Sequence, residues 1–237
     1  MIPKIIHLCW FSNDPYPVEI RECLDTWSKV LPDYQVRIWR EADARAIGIP
    51  FINDALDARR WAFAADAVRF YAVYTEGGVY MDSDIFLLKR FDHLLPADGE
   101  MVTFHEKIHP DEKGYGLQAA FFMAGKGNEF CRRVLGRYRT AQYRNADGTC
   151  NEYISPMVMR DLARDLGYVE NDELQRLPGL TIYPTHLLAP AKTYPRDAAT
   201  FGIHRIYGSW RKRKFGRRIE LWFKHLGKLI AYNLRRH

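Results

Sequence analysis

"GGVYMDSDIF", residues 77–86, opens on two glycines, continues through the β-favouring run Val79-Tyr80-Met81, and closes on two aspartates one residue apart. Alternate side chains of a strand share a face. The pattern therefore predicts Tyr80, Asp82 and Asp84 on one side and Ser83 on the other. Paired carboxylates repel each other weakly in water and more strongly at the end of a buried strand, unless a cation sits between them. Two hard carboxylates suit Mg²⁺ or Mn²⁺, which keep coordination positions open for phosphate oxygens. A bare Asp-x-Asp is more often a pair of solvated acids in a turn, so the surrounding sequence decides the reading.

Upstream, PKIIHLCWF (3–11) reads as a buried strand. Pro17 opens a helix over VEIRECLDTWSKV and Pro32 closes it, and YQVRIWR (34–40) alternates as a second strand. A helical pattern runs from Asn53 to about Thr75, with Gly77-Gly78 ending it. Strand, helix, strand, helix, strand predicts an α/β fold with a mostly parallel central sheet, in which ligands bind outside the carboxyl ends of the strands. Asp82 and Asp84 fall at such an end. Downstream, residues 98–118 are polar and read as a long loop, AAFFMAG (119–125) as a buried strand or the start of a helix, and NEFCRRVLGRYRTAQ and SPMVMRDLARDL as helices.

Asp66 and Arg69, three apart on the predicted helix, share a face. An arginine held by Asp66 beside a metal-bound phosphate fits a nucleotide-diphosphate site; a surface salt bridge gives the same spacing. Tyr80 is placed to hydrogen-bond a phosphate or sugar, or to pack in the core.

Taken together, Asp66-x-x-Arg69 and Gly77-Gly78-Val79-Tyr80-Met81-Asp82-Ser83-Asp84 resemble the sugar-binding region of glycosyltransferase family 32. That group includes yeast initiating mannosyltransferases, bacterial capsule and lipopolysaccharide transferases and, more remotely, the clostridial glucosylating toxins. IPKIIHLCWF with CLDTWSKVLPDYQVRIW, and IHRIYGSW near the C-terminus, extend the resemblance over most of residues 2–210. The resemblance implies a GT-A-like single domain over residues 1–210, a nucleotide-sugar donor with UDP as its nucleotide, and a divalent metal, Mn²⁺ or Mg²⁺. By position it implies that Trp10 stacks on the base, Asp66 and Arg69 hold the donor sugar, Tyr80 contacts the diphosphate, and Asp82 touches ribose or sugar hydroxyls. Asp84 ligates the metal with Asp82 and His204, and Ser209 and Trp210 close over the diphosphate. Retention of anomeric configuration, known among such enzymes, fits the lack of an obvious catalytic base; Gln118 falls where an amide would meet the sugar face. Many relatives carry Thr-Gly-Pro where this chain has Ile154-Ser155-Pro156, which leaves acceptor-side contacts there open.

The chain has 237 residues, 47% hydrophobic and 27% charged, an ordinary composition for a globular domain. The N-terminal stretch is too broken for a secretory signal, and no apolar run is long enough for a transmembrane helix. Cys9, Cys23, Cys131 and Cys150 show no metal or redox spacing and read as reduced thiols. The net charge of +6 is an uneven average: residues 211–237 hold ten Lys+Arg against one Glu, the rest 25 against 28 acids. In that basic tail Ile219, Trp222, Phe223, Leu226, Leu229, Ile230 and Leu234 recur at helical spacing, the pattern of an amphipathic helix lying on a membrane surface.

The expectation is a cytoplasmic enzyme attached peripherally to the inner face of the plasma membrane, extending a lipid-linked glycan in surface-polysaccharide synthesis, with no nucleic-acid partner. The alternatives are a toxin-like protein glycosyltransferase and a non-enzymatic membrane- or nucleic-acid-binding module. An Asp-x-Asp phosphatase is disfavoured, because Phe86 stands where that chemistry wants a Thr or Val.

Overall fold

The computed structural model describes residues 2–107, 115–145, 147–151, 154–190 and 195–206. The basic tail, with Ser209 and Trp210, lies outside the described residues. Among those described, no helix is long and apolar enough to cross a membrane.

The first half alternates strands and helices: β1 (Ile5–Cys9), α1 (Val18–Val30), β2 (Gln35–Trp39), α2 (Glu41–Ala46), α3 (Pro50–Asp57), α4 (Trp61–Glu76), β3 (Gly78–Met81) and β4 (Ile85–Leu87). The second half holds β5 (Met101–Glu106), β6 (Gly116–Leu117), β7 (Phe121–Ala124), α5 (Glu129–Thr140), α6 (Ser155–Arg164), β8 (Gln175–Leu177), β9 (Leu180–Tyr183), β10 (Leu188–Pro190) and β11 (Gly202–His204). The large sheet has the order β2-β1-β3-β7-β5-β9-β8, with β6 beside β5. β2, β1 and β3 are parallel; β7 runs against both β3 and β5, so β5 and its parallel neighbour β9 point the same way as β3. The mostly parallel expectation thus holds for β1, β2, β3, β5 and β9, and is corrected for β6, β7 and β8, which are reversed. The consequence is functional. The carboxyl ends of β1, β3 and β5 and the residues that lead into β7 all lie along one edge.

Side-chain alternation splits the core into two layers. Tyr80 and Phe122 face the layer built with α3 to α6, whereas Val79, Met81, Phe121 and Met123 face the layer with α1 and the small sheet β10-β11-β4. This is a three-layer arrangement around a buried sheet. The glycines that open the decisive stretch have a steric purpose. Gly78 sits at φ +113, where a Cβ would lie 2.6 Å from the Ile5 carbonyl oxygen, so only glycine lets β3 lie this close to β1. The His7 Nε2–H donates to the Gly77 carbonyl at 2.8 Å while Nδ1 accepts from the Trp39 indole at 3.2 Å, fixing the turn against the sheet from behind.

Two expectations need correction. The helix foreseen from Asn53 to Thr75 is two helices, broken at residues 58–60 where Arg59 adopts φ +52; propensity continues across this break, but the change in direction needed to pack α3 on α4 does not register in periodicity. The foreseen loop over 98–118 contains β5, buried along nearly its whole length. Thr103 and His105 disguise it, and both are satisfied: Thr103 Oγ1 donates to the Gln118 carbonyl, and His105 Nε2 bonds the Glu173 carbonyl.

Candidate active site

At the shared edge lies a cavity of about 420 Å³. Trp10, Asp66, Arg69, Tyr80, Asp82, Asp84, Gln118 and His204 all line it, so residues scattered over nearly 200 positions converge.

The aspartates reach it by different routes. Asp82 continues the alternation of β3: the Tyr80 hydroxyl donates to its Oδ1 at 2.6 Å, and its backbone N–H bonds the Ala120 carbonyl at 2.8 Å. Asp84 arrives through a turn rather than the strand, closed by the Ile85 N–H on the Asp82 carbonyl at 3.0 Å. The small sheet then supplies its partner. β4 and β11 pair antiparallel with His204 opposite Ile85, and the Arg205 N–H bonds the Asp84 carbonyl at 3.0 Å. His204 Nε2 consequently stands 3.5 Å from Asp84 Oδ1. One ligand atom each from Asp82, Asp84 and His204 lies within 4.8 Å of the others. Two hard oxygens and one imidazole nitrogen fit Mn²⁺ and admit Mg²⁺.

Burial and neighbouring charges act against each other in the site. Burial pushes the Asp82 and Asp66 carboxyls above the usual range, with Arg69 as the main opposing influence on both. Burial also opposes charge on His204, but Asp84, Glu106 and Asp82 outweigh it and raise the imidazole to about 9. Unbalanced negative charge therefore surrounds His204, which suits a site for a cation.

Arg69 is more committed than spacing suggests. It is 5% exposed; Nη1 donates to the Ala119 carbonyl at 2.7 Å, Nε to the Ala65 carbonyl at 3.1 Å, and Nη2 pairs with Asp66 Oδ1 at 3.1 Å. Its Nη1 is also 3.6 Å from Asp82 Oδ1, and the guanidinium lies over the Tyr80 ring at 4.7 Å. It is a strut joining α4, the end of β3 and the entry to β7, rather than an arm free to meet phosphate. Tyr80 likewise spends its hydroxyl proton on Asp82. Gln118 is 1% exposed; its Oε1 accepts from the Ala120 N–H at 3.0 Å, which turns its amide nitrogen towards His204 Nδ1 at 3.3 Å. Trp10 packs on Tyr16 with ring centroids 4.7 Å apart, and its indole N–H donates to the Asp14 carbonyl.

The sequence reading missed two participants. Glu106, at the carboxyl end of β5, places Oε1 3.4 Å from His204 Nδ1; reading MVTFHE as a strand would have put it on the site edge. Ser155 donates its hydroxyl to Asp66 Oδ1 at 2.6 Å, a contact between residues 89 apart that no local pattern encodes.

The family model that matches this chain is described by the same pair of aspartates. Residues 17–100 match the family model described as "Glycosyltransferase sugar-binding region containing DXD motif". Among curated proteins, inositol phosphoceramide mannosyltransferase 3 of Schizosaccharomyces pombe is 31% identical over 101 residues, 40% of this chain and 27% of that protein. Mannosyltransferase 2 of the same yeast is 30% identical over 102 residues, 40% of this chain and 28% of that protein. The matched stretch thus spans little more than a quarter of either relative. Similar solved structures include the PaToxG glycosyltransferase (TM-score 0.49, 17% identity, 70% of each chain) and the galactosyltransferase LgtC (TM-score 0.49, 11% identity, 85% of this chain and 87% of that one). The resemblance to glycosyltransferase family 32 read from the sequence is supported over residues 17–100, where the chain matches the glycosyltransferase sugar-binding model and Asp82-Ser83-Asp84 has the form of its DXD motif.

Proposed function

We propose that the protein is a metal-dependent, retaining glycosyltransferase that moves a sugar from a nucleotide-sugar, UDP-linked, to a glycan acceptor. The observation that carries this is the convergence of Asp82, Asp84 and His204 at the mouth of a cavity whose wall presents buried Asp66. In this reading Asp82, Asp84 and His204 would hold Mn²⁺ or Mg²⁺. The ion would stabilise the charge that develops on the diphosphate as the sugar–phosphate bond breaks. Asp66 accepts hydrogen bonds from hydroxyls of the donor sugar. Tyr80 and Arg69 act behind Asp82, holding its carboxylate in place, and Gln118 presents its amide to the cavity beside His204. Trp10 offers its ring to the nucleotide base. Ser209 and Trp210 are proposed to close over the diphosphate, on their place in the sequence alone.

The acceptor is proposed to be a lipid-linked glycan of surface-polysaccharide synthesis, reached at the inner face of the plasma membrane through residues 211–237. Two things support it: the apolar and basic pattern of that tail, and relatives named for inositol phosphoceramide.

The test is nucleotide release from UDP- and GDP-sugars by the full chain, with and without Mn²⁺. One donor is expected to be hydrolysed slowly, and Asp84→Asn to lower that rate by about 10²–10³-fold, the size of a lost charge-stabilising group. No metal-dependent binding of any nucleotide by calorimetry would overturn the reading.

A further inference from the structure

Ile154, Ser155 and Pro156 enter α6 in alternation. Ile154 and Pro156 line the cavity, whereas Ser155 turns away from it and is fully buried. Its hydroxyl donates to Asp66 Oδ1 at 2.6 Å, and its backbone hydrogen-bonds the same carboxylate. Asp66 is therefore cradled by the first residue of α6, where unpaired N–H groups and the helix dipole favour an anion. On its other side the same Oδ1 meets Arg69 Nη2 at 3.1 Å. These contacts restrict the carboxylate's rotation in a residue that itself lines the cavity.

We infer that Ser155 is a positioning residue for the donor's sugar: through its hydroxyl it orients the Asp66 carboxylate and docks the cavity wall formed by Ile154 and Pro156 against α4. This rests on the glycosyltransferase reading and adds to it, because it assigns the α6 entrance to the sugar half of the donor and leaves the diphosphate half to Asp82, Asp84 and His204. Ser155 does not itself touch substrate, since none of its surface is exposed. The alternative is that the Ser155–Asp66 bond only holds α6 to the body, as buried hydrogen bonds commonly do.

The two roles separate by comparing a ligand that has the sugar with one that lacks it. Calorimetry on the full chain in MnCl₂ would use UDP, GDP, UDP-glucose, UDP-galactose and GDP-mannose, on wild type, Ser155→Ala and Ser155→Thr. The expected result is that Ser155→Ala weakens binding of the accepted nucleotide-sugar about tenfold, the scale of one lost hydrogen bond to a charged group, while binding of the matching free nucleotide stays unchanged. Ser155→Thr, which keeps the hydroxyl, restores most of the loss. In steady state the donor KM rises more than kcat falls. Equal weakening of nucleotide and nucleotide-sugar, or of neither, overturns the inference and leaves the glycosyltransferase reading standing. If Ser155→Ala does not fold, Ser155→Cys, close in size but a much weaker donor to Asp66, decides: selective weakening of the nucleotide-sugar sustains the inference, and parallel weakening or none overturns it. Wild type that binds no nucleotide overturns both.

Discussion

Asp82 and Asp84 stand two residues apart, yet different parts of the molecule hold them. Asp82 is held by near neighbours in the chain, Tyr80 on its own strand and Arg69 on the preceding helix. Asp84 is held by distant ones, with His204 brought alongside by β11 and Glu106 behind that histidine at the end of β5. The first arrangement commits Asp82 Oδ1 to Tyr80 and Arg69 even though the side chain is 31% exposed, so its disturbance is expected first as lost stability. The second is a ring of negative groups around one imidazole, so its disturbance is expected as a change in the proposed metal affinity. A motif of three residues thus joins a carboxylate anchored by near neighbours to one fixed by distant ones.

The largest effect tests the anchor. Arg69→Met removes the buried counter-charge from Asp66 and Asp82 and leaves the Ala119 carbonyl without its side-chain donor. Breaking a buried pair from one side costs about 3–5 kcal/mol, and urea unfolding is expected to show a loss of that size. A loss under about 1 kcal/mol, the range of exposed pairs, would mean that the site solvates these carboxylates without Arg69, and the contrast between the two aspartates would collapse.

The binding side predicts the opposite signature. Glu106→Gln keeps an acceptor for His204 Nδ1–H but removes the charge behind it. Carboxylates behind a metal-ligating histidine typically contribute 10–100-fold in metal affinity. Mn²⁺ binding measured by calorimetry should weaken by about tenfold, with a loss of urea stability smaller than that of Arg69→Met because Asp84 and Asp82 still face His204. A matched loss of stability with unchanged Mn²⁺ affinity would make Glu106 another anchor and erase the distinction.

The same division explains what the sequence revealed. The Asp82 side is built from contacts at separations of two and thirteen residues, within reach of strand alternation and of the i, i+3 rule on a neighbouring helix. That is why Asp66, Arg69, Tyr80 and Asp82 could be grouped from the residues themselves. β1, α1 and β2 were legible for a similar reason, each having a clear period and proline or glycine punctuation. The Asp84 side depends on tertiary pairing. His204 came only through family resemblance, since a histidine in GIHRI carries no periodic signal. Glu106 was lost because β5 is buried on both faces and contains Thr103 and His105, whose hydrogen-bond partners are invisible to a hydropathy pattern. Ser155 was seen as a departure from Thr-Gly-Pro but not as the partner of Asp66, because nothing local links positions 89 apart. The commitment of Arg69 to two carbonyls could not be foreseen either, since backbone acceptors leave no trace in side-chain pattern.

The smallest predicted effect concerns the back of the anchor, where His7 fixes Gly77 against β1. Burial lowers the pKa of this imidazole, a cause that outweighs its bond to Gly77 and the nearby Glu76. In the folded chain Nε2–H donates to Gly77 and Nδ1 accepts from Trp39, so adding a proton to Nδ1 sets two donors against each other. The unfolded chain, with an ordinary histidine, takes up that proton as pH falls below about 6.5. It then binds more protons than the folded chain, so this residue's contribution to stability falls as pH drops through that value, by at most about 1.4 kcal/mol per pH unit. Other groups titrate in the same window, so the measurement is a difference: urea unfolding of wild type and His7→Gln at pH 7.5, 6.5 and 5.5. Glutamine can accept from Trp39 and donate to Gly77 but takes no proton. The gap between the two proteins should therefore narrow on acidification, with His7→Gln losing less. A gap that widens would show that His7 gains rather than loses from protonation in the fold, with the Glu76 charge outweighing burial. The turn that opens the strand leading to Asp82 would then be held by an ion pair, and the neutral hydrogen bonding assigned to the back of that strand would fail.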